Sequence, residues 1–411
     1  MKIQDNQLII GDVKATELVS KYGSPIYVYD EGLIRQKFRE LKENIPYRKL
    51  RIYYACKANT NPHIMKVLFE EGSYADVLSP GEIVLAKKAG FSEERMMFTS
   101  TSVTDSDMKY AIDHNIMVNC DSLSQLERYG KLNPNCKVSI RINPDVGGGH
   151  HGHVITGGPE SKFGIYFDKV DEAKSIAKKH GLKIVGIHQH IGSGILDADK
   201  FKLALDVILK VAKDFHDLEF VDLGGGFGIP YRPEQKPLDM KAVGKLLTDE
   251  FEKFCKSYGR ELLLFIEPGR YPVAEAGFLL CTVNTTKQTP THKFAGVDTG
   301  FNHLIRPAMY GSYHPIIVAN NVEGKKEPVV ICGNVCESGD AFTRDEHGIE
   351  DRELPAVKEG DIIAILNAGA YGFAMASNYN SRFKPVEVLV KGTESRIIRK
   401  QETWDYLMYG Y

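Results

Sequence analysis

Between about residue 30 and residue 270 of this 411-residue chain, short strand-like runs alternate eight times with amphipathic helical runs, and few architectures accept that pattern. The strand-like runs are Ile52–Ala55, Ala75–Leu78, Met96–Thr99, Ile116–Asn119, Val138–Ile142, Ile184–His188, Phe220–Leu223 and Leu263–Glu267. Stretches with apolar residues three and four apart lie between them, among them Pro80–Ala89, Ser122–Tyr129, Val170–Lys179 and Phe201–Phe215. Parallel strands need helical crossovers, and eight of them close a sheet on itself, so the expected fold is α/β with a (β/α)8 barrel. After about residue 275 the pattern changes to β-rich runs broken by turn residues: Leu279–Thr285, His292–Val297, Pro328–Cys332, Asp361–Leu366 and Pro385–Val390. This predicts a second, mostly antiparallel β domain. The expected division is a barrel over 30–272 and a β domain over 273–411, joined by the N-terminal stretch 1–29, whose run Gln7–Ile10 is strand-like.

Composition narrows the partners. A formal net charge of −2 without blocks of like charge leaves no basic field for nucleic acid or anionic membrane, so a small-molecule partner is expected. The longest apolar runs are strand-sized and the first twenty residues are polar and charged, so neither a membrane span nor a signal peptide is expected. Seven cysteines at irregular spacing fit a reduced cytoplasmic protein better than a disulfide framework.

In a barrel of this kind the active site forms at the carboxyl ends of the strands. The unusual polar residues fall there: Lys57 after the first strand, Asp76 in the second, Arg141 in the fifth, His188 and His190 after the sixth, Gly224–Gly226 after the seventh, and Glu267 at the end of the eighth. Taken alone, Lys57 is a strand-end lysine that snorkels to water. Its companions change that reading. A desolvated lysine tends to its neutral amine, which attacks carbonyls to form Schiff bases. The run Leu223-Gly-Gly-Gly-Phe-Gly228 offers bare backbone N–H groups where barrels often hold phosphate, and Ser193 supplies a hydroxyl nearby. A carboxylate at the end of the apolar run Leu262–Ile266 needs a cation facing it; Arg270 is the structural candidate, and a protonated pyridine nitrogen the functional one. Amine, phosphate cradle and ring-nitrogen carboxylate on one rim describe a site for pyridoxal 5'-phosphate (PLP).

Two other motifs are read as bland. His150-His-Gly-His153 has no carboxylate or cysteine at ligand spacing nearby, so no metal is expected there and the stretch 147–158 reads as a loop over the site. Cys332-Gly-Asn-Val-Cys336 has the wrong gap for a zinc knuckle.

Nine segments together resemble the motifs of the diaminopimelate decarboxylase family, among the alanine-racemase-like, fold-type III PLP enzymes. They are Tyr54-Ala-Cys-Lys-Ala-Asn59, Asp76-Val-Leu-Ser-Pro-Gly-Glu82, Arg141-Ile-Asn-Pro144, His188-Gln-His-Ile-Gly-Ser-Gly194, Gly224-Gly-Gly-Phe-Gly228, Glu267-Pro-Gly-Arg270, Arg306-Pro-Ala-Met-Tyr310, Cys336-Glu-Ser-Gly-Asp340 and Gly369-Ala-Tyr-Gly-Phe373. The match runs over almost the whole chain. The resemblance implies that Lys57 carries PLP as a Schiff base, that His190 stacks on the pyridine and that Glu267 meets the ring nitrogen. It implies that Ser193, Gly225, Gly226, Gly269, Arg270 and Tyr371 hold the phosphate or its surroundings, with Asp76 and Arg141 also in the cofactor site. Arg270, Arg306, Tyr310 and Tyr371 are implied for the substrate's distal carboxylate and its surroundings, Glu337 for the distal amine, and Cys336 for reprotonating the carbanion. In the family Cys336 and Glu337 enter a neighbouring subunit's site, which implies a homodimer. The implied activity is decarboxylation of meso-2,6-diaminopimelate at its D-centre to L-lysine and CO2, the last step of lysine biosynthesis. The run Thr99-Ser-Thr-Ser-Val103 departs from the Gly-Asn-x-Lys pattern of many relatives. Alternatives at this stage are a sister decarboxylase for another amino acid, a non-catalytic PLP-binding homologue, and a Schiff-base aldolase barrel without PLP.

Overall fold

The structure, a computed structural model, describes residues 2–145 and 160–411. The stretch 147–158 with His150, His151 and His153 lies outside the described residues. The chain divides into two compact units, one of Lys37–Pro230 with Lys236–Tyr271, the other of Met1–Gln36, Tyr231–Gln235 and Pro272–Tyr411.

The first unit is the barrel. Its eight parallel strands are Leu50–Ala55, Tyr74–Val77, Met96–Ser100, Met117–Cys120, Lys137–Asn143, Lys183–His188, Phe220–Asp222 and Leu263–Ile266, each overlapping the expected run. Leu264 pairs with Leu50 and Asn119 with Ser139, so the sheet closes. Helices such as Pro62–Glu70, Pro80–Ala89 and Met240–Tyr258 carry the crossovers. Their starts are written locally. In Ser79-Pro-Gly-Glu82 the Ser79 hydroxyl caps the helix by accepting from the Glu82 N–H, while the Glu82 carboxylate reaches back past the cap to accept from the Leu78 N–H. Inside the barrel Tyr53, Met97, Val185, Phe220 and Phe265 form an apolar floor, with Phe220 stacked on Phe265 at 4.4 Å. Gly186 makes room for it, since a Cβ there would lie 2.0 Å from the Phe220 ring.

The second unit is a mostly antiparallel sheet running from Arg352–Pro355 through Lys326–Cys332, Lys293–Val297, Gly277–Gln288, Ile26–Asp30 and Val386–Lys391 to Glu394–Arg399. Gln7–Ile10 pairs within a small three-stranded sheet of its own and sends Leu8 and Ile10 into the core; the strand that enters the large sheet is Ile26–Asp30. That run is easily overlooked because tyrosines alternate with aliphatics, yet both rings are buried. Their hydroxyls are satisfied inside, Tyr27 donating to the His303 carbonyl at 2.7 Å and Tyr29 to Glu387 at 2.6 Å. Among the described residues no helix is long and apolar enough to cross a membrane.

Candidate active site

The first strand ends in a single tight turn, Cys56–Ala58, which carries Lys57 off the barrel rim. Ala55 pairs with Asp76, so the buried Asp76 carboxylate lies beside the lysine, 3.7 Å from Nζ. Burial pushes the Asp76 carboxyl well up, with Glu267 adding to it and Lys57 opposing. Lys57 faces a cavity of about 310 Å³ whose wall includes Thr99, Ser100, Thr101, Arg141, Phe163, His188, His190 and Glu267. With Leu78, just past the second strand, six strand ends converge on one space.

Glu267 sits across this cavity. Arg270, the expected structural partner, does not meet it. The turn Pro268-Gly269 carries Arg270 away from the strand, and its guanidinium donates to Ser193 Oγ at 3.0 and 3.3 Å. The neighbour of Glu267 is His188, whose Nε2 lies 3.0 Å from Oε2. The acceptor there is a carboxylate, so Nε2 carries the proton. Asp222, at the end of the seventh strand, completes a buried trio with ligand atoms all within 4.8 Å of one another. Burial raises the Asp222 carboxyl well above its usual range, and Glu267 raises it further. Burial acts the same way on Glu267, but His188, with Lys57 behind it, outweighs it and holds Glu267 at about 2. The negative charge of the cluster therefore rests on Glu267. Its Oε1 is buried and has no hydrogen-bond partner among the described residues. An orphaned carboxylate oxygen of this kind is costly in isolation and suits the protonated nitrogen of a pyridine ring.

The glycine run packs against Glu267 and His190. Asp222 Oδ1 accepts the Gly224 N–H at 2.8 Å, and the Gly224 carbonyl accepts the Glu267 N–H at 2.8 Å. A Cβ on Gly225 would fall 2.4 Å from the Glu267 carbonyl oxygen, and Gly226 has φ +104°, so both positions require glycine. The Gly225 N–H donates to His190 Nδ1 at 3.0 Å, which leaves the imidazole proton on Nε2. Burial pulls His190 well down, Lys57 and Arg141 adding to the effect, so the ring is neutral. The Gly226 carbonyl accepts from the Ile195 N–H, tying this loop to the one bearing Ser193. A glycine backbone open to close approach, a hydroxyl and a guanidinium in one loop pair fit a phosphate.

Arg141 is buried, its Nη1 3.4 Å from Asp121 and its guanidinium 4.5 Å above the Phe163 ring. Asp121, just past the fourth strand, also accepts from Thr101 Oγ1 at 2.7 Å and from the Gly164 N–H at 3.1 Å. Sequence reasoning missed Asp121 and Asp222. Both are acids at carboxyl strand ends, the signal that singled out Glu267, but each was hidden beside a more conspicuous neighbour. The divergent run Thr99–Thr101 lines the same cavity with hydroxyls.

The remaining predicted residues belong to the second unit. Arg306 is buried at the start of the short helix Arg306–Tyr310, and the half-buried Tyr310 ends it. Cys336 and Glu337 are exposed on a loop pinned by Asp340, whose carboxylate accepts from the N–H groups of Phe301 and Val335 at 2.7 Å each. Tyr371 has φ +57°, a left-handed conformation that a bulky residue rarely adopts outside functional turns.

The barrel, its rim lysine, the buried carboxylate of Glu267 and the glycine loop fit a fold-type III PLP enzyme, and residues 31–274 match the family model of the pyridoxal binding domain of pyridoxal-dependent decarboxylases. The diaminopimelate decarboxylase of Methanothermobacter thermautotrophicus is 46% identical over 98% of this chain and 95% of its own length. That of Aquifex aeolicus is 38% identical over 99% and 96%. The crystal structure of the M. jannaschii diaminopimelate decarboxylase in complex with L-lysine superposes with a TM-score of 0.91 at 34% identity, covering 99% of this chain and 96% of that one. The chain belongs to the diaminopimelate decarboxylase family.

Proposed function

We propose that this chain removes CO2 from the D-centre of meso-2,6-diaminopimelate and releases L-lysine, closing lysine biosynthesis. The observation that carries the reading is that Lys57 and the orphaned Oε1 of Glu267 share one cavity, in a chain whose relatives over nearly its whole length are diaminopimelate decarboxylases. When bound, pyridoxal phosphate supplies an electron sink for the pair left behind by departing CO2. The chain supplies everything else. Lys57 anchors the cofactor, with the buried Asp76 carboxyl beside Nζ. Glu267 keeps a full negative charge where the ring nitrogen must stay protonated. Gly225, Gly226, Ser193, Gly269 and Arg270 hold the phosphate, with Tyr371 at its edge, and neutral His190 lies against the ring. Arg141 lines the same cavity.

Arg306 and Tyr310 take the substrate's distal carboxylate, with Arg270 and Tyr371 also in contact with the substrate, and Glu337 takes the distal amine. Cys336 returns a proton from Sγ to the carbon that lost CO2. A carbanion must be shielded from water, yet Cys336 and Glu337 are exposed in the single chain. That exposure supports a homodimer in which these two residues complete the partner's site, and the cytoplasm is the compartment assigned to it in this reading. The barrel 30–272 serves as the cofactor domain and 273–411 as the β domain in this reading. The test is CO2 release from meso-diaminopimelate against lysine, ornithine and arginine. A preference of about 10⁴ or more is expected, because substrates without the second carboxylate leave buried polar groups unpaired. Turnover of ornithine with none of diaminopimelate overturns the proposal.

A further inference from the structure

We propose that His314 is a positioning residue that fixes the plane of the Arg306 guanidinium and thereby sets selectivity for a ligand with a second carboxylate. The inference rests on the role given to Arg306 above. His314 is fully buried; its Nε2 lies 2.9 Å from Arg306 Nη1 and its Nδ1 2.8 Å from the Leu366 carbonyl oxygen. A guanidinium has only N–H donors and keeps its charge at any accessible pH. Nε2 must therefore present its lone pair, and the ring proton sits on Nδ1, where it donates to Leu366. An imidazolium is excluded by the same geometry, since it would turn an N–H toward an N–H and set two cations side by side.

The surroundings of His314 leave it no other orientation. The Leu366 N–H donates to the Pro315 carbonyl at 2.8 Å, so the accepting peptide is itself held. Arg352 donates to the His314 carbonyl at 2.6 Å, and its guanidinium lies 3.8 Å over the Tyr313 ring. Tyr231 meets the His314 ring edge-on at 5.4 Å and carries the Arg306 guanidinium over its face at 4.8 Å. Ring, tautomer and backbone are all set, and Arg306 is oriented by a fixed acceptor at one edge and an aromatic plane beneath it. A planar fork recognises a carboxylate bidentately only when its plane is set beforehand, so the acceptor on His314 contributes to selectivity without touching the ligand.

The experiment compares two ligands on the PLP-loaded enzyme by calorimetry. L-lysine and 1,5-diaminopentane share a carbon chain and both amines and differ by one carboxylate. His314→Leu is expected to weaken lysine by about tenfold or more while leaving 1,5-diaminopentane within about twofold. His314→Gln, whose carboxamide oxygen reaches the place of Nε2, should recover most of the lysine affinity. His314→Asn, which reaches only the place of Nδ1, should not. Equal loss of both ligands in His314→Leu, or unchanged preference for lysine, overturns the proposal; where the leucine variant does not fold, equal behaviour of the Gln and Asn variants does so. Failure of the Arg306 reading looks different: the wild-type protein then shows no preference for lysine, or Arg306→Met leaves that preference intact.

Discussion

The barrel rim and the β unit hold their functional groups in opposite ways. On the rim, Asp76, Asp121, Arg141, His188, Asp222 and Glu267 are all buried, and Asp76 lies beside Lys57, Asp121 beside Arg141 and Glu267 beside His188. In the β unit Arg306 is buried, but Cys336 and Glu337 stand exposed on a loop. Binding a cofactor that stays in place rewards a site finished inside one fold, because burial and neighbouring charges then set each protonation state permanently. Admitting and releasing a substrate rewards groups left outside.

The contrast can be broken first at Lys57. Lys57→Ala should lower kcat by about 10⁴ or more and abolish covalent retention of the cofactor, read by steady-state kinetics and by gel filtration of the loaded enzyme. Cys336→Ala should cost about 10²–10⁴ in kcat with cofactor affinity unchanged, since it removes a proton donor and not a binding group. If sites are shared, mixing these two inactive variants should restore about a quarter of wild-type activity, because half the dimers are hybrids with one intact site; no recovery after exchange rules out sharing. Glu267→Gln, which keeps the shape but removes the charge, should cost about 10²–10³ in kcat and change the absorption of the bound cofactor.

The smallest effect concerns pH. His303 in the β unit is buried between Thr299 Oγ1 at 2.8 Å and the Phe383 carbonyl at 2.9 Å, and burial pulls it from 6.5 to about 4. The unfolded chain takes up this proton near 6.5 and the folded chain only near 4, so stability falls as pH drops through that window, by roughly 3 kcal/mol at most. Denaturant titrations at pH 7 and pH 4.5 should show His303→Gln losing less than the wild type.

Much of the barrel was legible because strands buried on both faces read as short apolar runs with period-breaking glycines and prolines between them. Lys57, Glu267 and the run at Gly224 stood out as polar or flexible residues closing such runs. What could not be read was pairing across the barrel. Arg270 looked like the partner of Glu267 because it is three residues away, whereas His188 faces it from another strand. Asp222 and Asp121 carry no local signature that separates a site acid from a strand-end acid. His314 is likewise silent in sequence; its role depends on the Leu366 carbonyl, 52 residues further along.

The central claim is that Lys57 holds the cofactor at the rim of the barrel. Borohydride reduction of the purified enzyme followed by peptide mapping tests it directly. The account predicts one pyridoxyl group per chain, on the peptide containing Lys57. A label on any other lysine, or a protein that takes up no label after incubation with pyridoxal phosphate, contradicts it.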